Sequence, residues 1–433
     1  MQKSIRSGPC FKAPGNMGII TILLMLSFIT NAKTAGIILK INKADSPGRD
    51  TILSEMIKSQ LAKHKYDLYY PLSVSRFYRN TGFKLAFVAP ETVKTHAGEA
   101  MMFLDCVIQY GLNPSDYHSK ILTYQRLNKL VKLGSNEGIR EKVFFDMMLT
   151  DAMIAMINNL HYGKLNPYYS IDEIDLGITP KDVTGGMLQY AMTQENFMNA
   201  IELAQPKSTA YIDLQRHMRL LTGVYQLDCY DTPDSTVRTM AVNMERLRWI
   251  QHDSTIYVDI NLAAFELTLH SKDSIYRFNI TIGDPATPTV VSKNIISRFT
   301  VTSNQPNHSA GFVFILANLS IYGTNERQSF KIPAQRFTSG NIQLAQAGKL
   351  AELLSVTTGS VNRLSNIIKN MKTKQVRNFN LKKGTEIVIT YLTCKVSEGT
   401  LITYNDVYNL DPLLELRLYG IKNQFSQKRD VNN

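Results

Sequence analysis

Cysteine is scarce in this chain, and its positions match no common metal-binding pattern. Four cysteines occur among 433 residues, and none of them forms a Cys-x-x-Cys pair. The eight histidines are scattered, and no His-Glu-x-x-His sequence occurs. These absences exclude the usual zinc spacings, and we expect neither a metal nor another cofactor. Cys106, Cys229 and Cys394 follow the N-terminal region; one disulfide pair among them is compatible with the sequence, which does not identify it.

One short apolar run near the N-terminus determines the expected compartment. Residues 18–29 are mostly apolar, follow Lys3, Arg6 and Lys12, and precede the small residues Ala32 and Ala35. This order predicts a secretory signal peptide over residues 1–32, because the apolar run is shorter than the ~20 residues that span a bilayer. An uncleaved N-terminal anchor is the alternative, and it would be the chain's contact with a membrane. In either case we expect an exported, periplasmic protein.

Acidic residues are outnumbered by basic ones, which bears on the expected partner. The formal net charge is +12 and the pI is about 9.3. A basic surface favours an acidic partner, such as an anionic cell wall, although dispersed charge on a soluble protein is the simpler interpretation. No dense Lys/Arg block interleaved with aromatic residues occurs, so we do not expect a nucleic-acid partner.

Apolar periodicity predicts a mostly helical region from residue 35 to about 230. Its strongest segment, Glu141–Leu160, is apolar on most faces and is therefore expected to be the central helix, with its methionines filling gaps in the core. Phe83–Val88 is an extended stretch that fits either a short strand or a docking segment. Further helices are predicted over residues 52–64, 92–110, 195–203 and 210–221. A linker rich in Asp, Thr and Pro follows at residues 228–236.

Strand patterns replace helical ones from about residue 238. We predict a mostly β sandwich, so that the whole chain is an α+β multidomain protein. The predicted strands are residues 256–260, 265–269, 276–282, 295–302 and 311–316, and then 385–394 with 401–404 as the last pair. Two helices, at residues 345–356 and 360–371, lie between them. A basic C-terminal tail is expected over residues 416–433.

The helical region contains three distinctive phrases, Arg76-Phe77-Tyr78, the run Asp105–Pro114 and Leu149–Ala152. They resemble the helical scaffold domain of the large Gram-negative L,D-transpeptidases, a family that cross-links peptidoglycan in the periplasm. The run Asn243–Trp249, with Glu245, Arg246 and Arg248, resembles the phrase that opens its YkuD-type catalytic domain. The resemblance implies a scaffold domain over residues 35–230 and a YkuD-like catalytic-type domain over residues 237–415.

The segment from Ile321 to Leu344 resembles the active-site segment of the same family, but the reactive residues differ. The family pattern has a histidine and, about twenty residues later, a cysteine after Ser-Gly. Here Tyr322 takes the histidine place and Asn341 takes the cysteine place, while Gln343 stands where relatives carry an arginine. The frame around them is kept by Thr324, Phe330, Ser339, Gly340, Ile342 and Leu344.

These differences predict that acyl transfer has been lost. The family reaction needs a thiolate nucleophile, a basic partner and backbone N–H groups that stabilise the oxyanion. An asparagine amide provides no thiolate, and a tyrosine with a reference pKa of about 10 is a poor base at neutral pH. We therefore expect no catalytic residue here, and we assign Thr324, Ser339, Gly340 and Gln343 to substrate binding.

Three functions remain open on this interpretation. The first is an inactive homologue that binds peptidoglycan stem peptides or a cell-wall synthesis protein. The second is an active transpeptidase or hydrolase with a relocated nucleophile, for which Cys394 and Ser339 are the candidates. The third is a purely structural protein whose cleft has closed. Relatives also carry a peptidoglycan-binding module and a long cap over the cleft; the chain has no room for the module and keeps only residues 303–310 of the cap.

Overall fold

The computed structural model describes residues 47–89, 95–134, 137–179, 184–224, 235–250, 254–272, 274–304, 309–324, 337–370 and 375–420. Its first half is helical and its second half is mostly β, which confirms the predicted α+β class. The helices of the first half are α1 (Pro47–Lys63), α2 (Pro71–Asn80), α3 (Ala97–Asp105), α4 (Tyr124–Lys132), α5 (Ile139–His161), α6 (Ile171–Leu176), α7 (Thr184–Met192), α8 (Phe197–Glu202) and α9 (Thr209–Val224). Helix α10 (Ser235–Arg248) leads into the β half.

Helix α5 is the centre of the helical half, as its all-round apolar sequence predicts. Nearly every residue from Val143 to Leu160 is buried. It is also the one helix in the described part of the chain that is long and apolar enough to cross a membrane, but 94% of its apolar window is buried inside the protein. Such burial is what a core helix shows, since its apolar surface is already covered.

Buried carboxylates fix the segments that pack around α5. Asp146 accepts hydrogen bonds from the backbone N–H groups of Ala86, Phe87 and Val88 at 2.7–3.0 Å and from the hydroxyl of Tyr78. Further along α5, Asp151 accepts bonds from the two N–H groups that precede α2. The segment Phe83–Val88 is therefore a docking segment and not a strand.

Nine strands of the described residues form one sheet that closes on itself. They are β1 (Ile256–Asn261), β2 (Glu266–Ser271), β3 (Ser274–Gly283), β4 (Ser292–Asn304), β5 (Ser309–Ile315), β6 (Ser320–Thr324), β7 (Phe337–Thr338), β8 (Ile342–Ala345) and β9 (Val376–Thr390). Their order is β2-β1-β9-β4-β5-β6-β8-β3-β7, and a further pairing of β2 with β3 completes a ring. The predicted sandwich is thus a closed, barrel-like one.

Helices cover this sheet, and a small hairpin lies beside it. Helices α11 (Ala347–Thr357) and α12 (Val361–Asn370) follow β8, where two helices are predicted. Strands β10 (Cys394–Ser397) and β11 (Thr400–Thr403) form the hairpin, and α13 (Asp411–Tyr419) ends the described chain. The C-terminal tail expected over residues 416–433 therefore begins within α13, which runs to Tyr419. Leu418 in this overlap is buried.

The predicted pairing of residues 385–394 with 401–404 is wrong. Strand β9 pairs with β1 and β4, and the hairpin forms instead between β10 and β11. The physical reason is the turn at Glu398 and Gly399, where both φ angles are positive, at 51° and 77°. Two successive positive φ angles are what a two-residue hairpin turn requires.

The helix predicted at residues 92–110 is shorter than expected, because a 3₁₀ helix at Val107–Tyr110 replaces its last turn.

Among the described residues, three clusters of buried apolar side chains hold the structure together. One fills the helical half around α5, and a second fills the interior of the closed sheet. The third combines α9 and α10 with Ile108, Leu392 and Cys394. Because this third cluster draws on both halves, α10 packs simultaneously against the helices before it and the strands after it. The predicted domain limits at residues 230 and 237 lie on either side of the start of this helix and stay predictions.

Candidate functional site

The two ends of the candidate active-site segment lie on neighbouring strands. Strand β6 carries Tyr322 and Thr324, and β8 begins directly after Asn341. The strands are parallel, and Tyr322 pairs with Gln343 while Thr324 pairs with Ala345. In parallel strands such partners are about 4.8 Å apart and point to the same face. The fold therefore sets Tyr322 beside Gln343 and places Asn341 directly before β8, which are the three positions that the sequence resemblance predicts for the site.

The alternation along these strands turns the candidate residues away from the core. Ile321, Ile342 and Leu344 are fully buried in the sheet interior. Tyr322, between the core positions, is 42% exposed, and Gln343 is half-buried on the same face. Asn341, just before β8, is exposed. The aliphatic frame noted in the sequence thus has a packing role, and the polar positions within it face outwards.

The Ser339-Gly340-Asn341 corner is fixed by hydrogen bonds to the end of β3. Thr338 in β7 donates its hydroxyl to the carbonyl of Ile282 at 3.1 Å and contacts the carbonyl of Asn341. The amide of Gly340 donates to the carbonyl of Thr338 at 3.0 Å, and Gly340 has φ of +77°. A residue with a Cβ is strained at this angle, so glycine is the residue that fits.

A second glycine supports the corner from below. A Cβ on Gly283 would lie 2.2 Å from the carbonyl oxygen of Thr287 and 3.0 Å from the Cα of Gly340, so the backbones can approach only because Gly283 has none. Tyr408 donates its hydroxyl to the carbonyl of Gly283 at 2.7 Å and accepts from the amide of Thr289 at 3.2 Å. Sequence reasoning did not single out Tyr408, because nothing in its local pattern shows that it reaches a strand more than a hundred residues away.

Other parts of the sequence interpretation lie outside the described residues. Phe330, which belongs to the predicted frame, is one of them, and so are Cys229 and the predicted signal peptide over residues 1–32. Ser339 and Thr324 are described; Ser339 is exposed and Thr324 is half-buried. Within the described ranges, no group of three His, Cys, Asp or Glu side chains is arranged to hold a metal ion.

The thiol considered as a relocated nucleophile lies in an unsuitable environment. Cys394 is fully buried at the start of β10, in the third apolar cluster. Burial, with a smaller contribution from Asp411, raises the pKa of its thiol to about 12. A thiol with such a pKa forms almost no thiolate at neutral pH. Cys106 belongs to the helical half and is not part of the β6–β8 region.

One region of the chain matches a known protein family. Residues 73–218 match the Scaffold domain, the N-terminal scaffold of L,D-transpeptidases. The match links the chain to L,D-transpeptidase-like cell-wall proteins. It begins inside α2 and ends inside α9, so it includes the scaffold-like phrases of the helical half and stops before α10. No curated protein matches the chain.

Proposed function

We propose that this chain is an exported L,D-transpeptidase-family protein that has lost acyl-transfer chemistry and acts by binding. Its β half, residues 237–415, would be a YkuD-like domain whose ligand is a peptidoglycan stem peptide or a cell-wall synthesis protein. The Scaffold match at residues 73–218 supports the family part of this proposal. The basic composition supports an anionic wall as the place of action.

The observation that carries the proposal is the side-by-side position of Tyr322 and Gln343 next to Asn341. The resemblance places the reactive histidine, arginine and cysteine at these residues, and the parallel pairing of β6 with β8 gathers them on one outward face. A site assembled in this way can still offer a phenol and two amides to a peptide. None of these groups is a thiolate or an effective base at neutral pH.

An active enzyme with a different nucleophile is less well supported. Ser339 would need a base, and Asp284, whose backbone amide donates to the carbonyl of Thr338 at 2.8 Å, directs its carboxylate to Thr287. Hydrogen bonds from the backbone and hydroxyl of Thr287 lower the pKa of Asp284. A carboxylate with a lowered pKa is a weaker proton acceptor, which argues against its activating a serine.

Co-sedimentation with purified sacculi tests the proposed function. We expect the wild-type protein to sediment with the sacculi and Tyr322→Ala to bind at least about fivefold more weakly, since burying a tyrosine side chain at a binding surface is worth about 1 kcal/mol or more. Tyr190→Ala is the matched control, because Tyr190 is similarly exposed, at 48%, but belongs to α7 of the helical half.

The outcomes separate the versions of the proposal. If both variants lost binding to sacculi equally, the binding would depend on general surface properties of the protein. That result would contradict a site at β6 and β8. If sacculi and isolated stem peptides both fail to bind, the stem-peptide version is wrong. The partner version then rests on a pull-down from envelope extract in which Tyr322→Ala, and not Tyr190→Ala, loses a specific cell-wall synthesis protein.

A further inference from the structure

A cavity of about 680 Å³ lies where the helical half meets the closed sheet. Its wall comes from the loop after α5, the end of α10, the neighbouring strands β4 and β9, and α13. Strands β4 and β5 separate β9 from β6, so this cavity is a different place from the Tyr322 site. Its volume falls within the range of roughly 300–1,000 Å³ that is usual for small-molecule sites.

The wall of the cavity is mostly apolar, and apolar side chains also surround its mouth. Tyr162, Trp249 and Tyr391 contribute aromatic surface to it. Tyr168 and Leu413, which line it as well, are half exposed, at 51% and 50%. Large apolar side chains left open to water around a concave space are typical of a ligand site.

Arg246, one of the residues that line the cavity, carries a buried donor without a partner among the described residues. Its guanidinium is buried over the ring of Tyr391, with 5.1 Å between the guanidinium carbon and the ring centroid. Nη1 donates to Oδ1 of Asp411 at 2.6 Å, but Nη2 is buried and has no hydrogen-bond partner among the described residues. Leaving a buried donor unpaired is unfavourable, so such groups commonly mark a position that a ligand or water completes.

The charges around the cavity are balanced, which narrows the ligand class. Arg246 pairs with Asp411, Arg248 pairs with Glu245 at 3.2 Å, and Lys293 pairs with Glu386 at 2.7 Å. With each of these cations matched by an acid, the described lining residues carry no net charge that would require an ion. What Arg246 lacks is an acceptor, and a carbonyl or similar oxygen provides one without the desolvation cost of a buried charge.

We propose that this cavity binds a small molecule with an apolar body and one hydrogen-bond acceptor oxygen, which accepts from Nη2 of Arg246. The apolar wall takes the body, and Arg246 fixes the orientation of the acceptor. This site is independent of the proposed function at β6 and β8, so either proposal can fail without the other.

Trp249 makes the test direct, because it is the single tryptophan of the chain and it lines the cavity. A bromine atom quenches indole fluorescence on contact. We would titrate the protein with methyl 11-bromoundecanoate, which carries an acceptor carbonyl, and with 1-bromoundecane, which carries none. We expect saturable quenching by both and an affinity about tenfold higher for the ester, the worth of one hydrogen bond to a charged donor. Absent quenching, or equal affinities, would overturn the proposal.

Two variants locate the binding and have a matched control. Arg246→Lys keeps a cation for Asp411 but removes Nη2, so it should lower the ester affinity to that of the alkane without changing the alkane affinity. Leu414→Phe adds a ring to the wall and should weaken both ligands at least about fivefold. Leu416→Phe on the same helix is the control, since Leu416 is exposed and is not in the wall, and it should leave both affinities unchanged. Unchanged binding in Leu414→Phe would contradict the assigned cavity even if Arg246→Lys failed to fold.

Discussion

Gly340 connects a single backbone angle to the position of Asn341. Its φ of +77° places the chain in the left-handed region. The hydrogen bond from its amide to the carbonyl of Thr338 closes the corner from which β8 begins. Gly340→Ala should lower the free energy of unfolding by about 1 kcal/mol, because a Cβ is strained at this angle even though its one close neighbour, the carbonyl oxygen of Thr287, lies at an ordinary 3.8 Å.

Chemical denaturation of this variant beside Gly186→Ala checks the prediction. Gly186 lies in α7, is exposed, and has open space within 4 Å of the point where a Cβ would be added, so alanine there should be neutral or stabilising. A destabilisation by Gly186→Ala as large as that by Gly340→Ala would remove the argument from the backbone angle.

Asp259 gives the closed sheet a pH dependence. Burial on β1 raises the pKa of its carboxyl to about 7, with a smaller opposing effect from the hydroxyl of Thr390. The unfolded carboxyl ionises near its ordinary pKa of 3.8, so between about pH 4 and pH 7 the unfolded state releases a proton that the folded state keeps. The contribution of Asp259 to stability is therefore greatest at low pH and declines as the pH rises through this window.

Asp259→Asn should remove this decline. Relative to the wild type, we expect the variant to gain about 2 kcal/mol of stability between about pH 4 and pH 8, less than the full shift implies because the side chain is partly exposed to solvent. Denaturant titrations at the two pH values measure the difference. The same wild-type-to-variant difference at both pH values would contradict the assignment.

At the scale of elements, α5 organises the helical half through its carboxylates as well as its apolar faces. Asp146 is fully buried and accepts three backbone bonds from the docking segment together with one from Tyr78. Asp146→Ala would leave these donors buried without an acceptor and should lower the free energy of unfolding by about 3 kcal/mol or more. Asp172→Ala, at an exposed position on α6, should change it by less than about 0.5 kcal/mol. Equal effects of the two would show that the network contributes nothing specific.

Elements with strong periodicity could be predicted from sequence, and those defined by distant contacts could not. The predicted helix Glu141–Leu160 and the predicted strand at 276–282 correspond closely to α5 and β3. Each is defined by a periodic pattern of apolar residues that the structure buries, and such a pattern can be read along the sequence. The pairing of β9 could not be predicted, since its partners β1 and β4 are distant along the chain. Phe83–Val88 has a strand-like sequence, yet its amides are taken by the carboxylate of Asp146, which no local pattern reveals.

At the scale of the molecule, the chain combines a helical half with a Scaffold match and a closed sheet carrying a candidate site on one outward face. The resemblance proposed Tyr322, Asn341 and Gln343 as site positions, which stays a prediction, and the parallel pairing of β6 with β8 sets Tyr322 beside Gln343. It gave no sign of the cavity beside Arg246 and Trp249, because that space exists only where α10, β9 and α13 meet. The segment from Ile321 to Leu344, which was selected by resemblance alone, thus has its two ends on neighbouring strands of the sheet.

The proposed loss of acyl transfer is tested most directly by the intact mass of the protein after long incubation with a carbapenem, an acylating agent for an activated nucleophile. The variant that combines Tyr322→His with Asn341→Cys, at the two neighbouring positions on β6 and before β8, is the companion sample that restores the family residues. We predict an unmodified mass for the wild-type protein, because neither Asn341 nor the buried thiol of Cys394 provides a thiolate. A stoichiometric carbapenem adduct on the wild-type chain would contradict the proposal that its acyl-transfer chemistry has been lost.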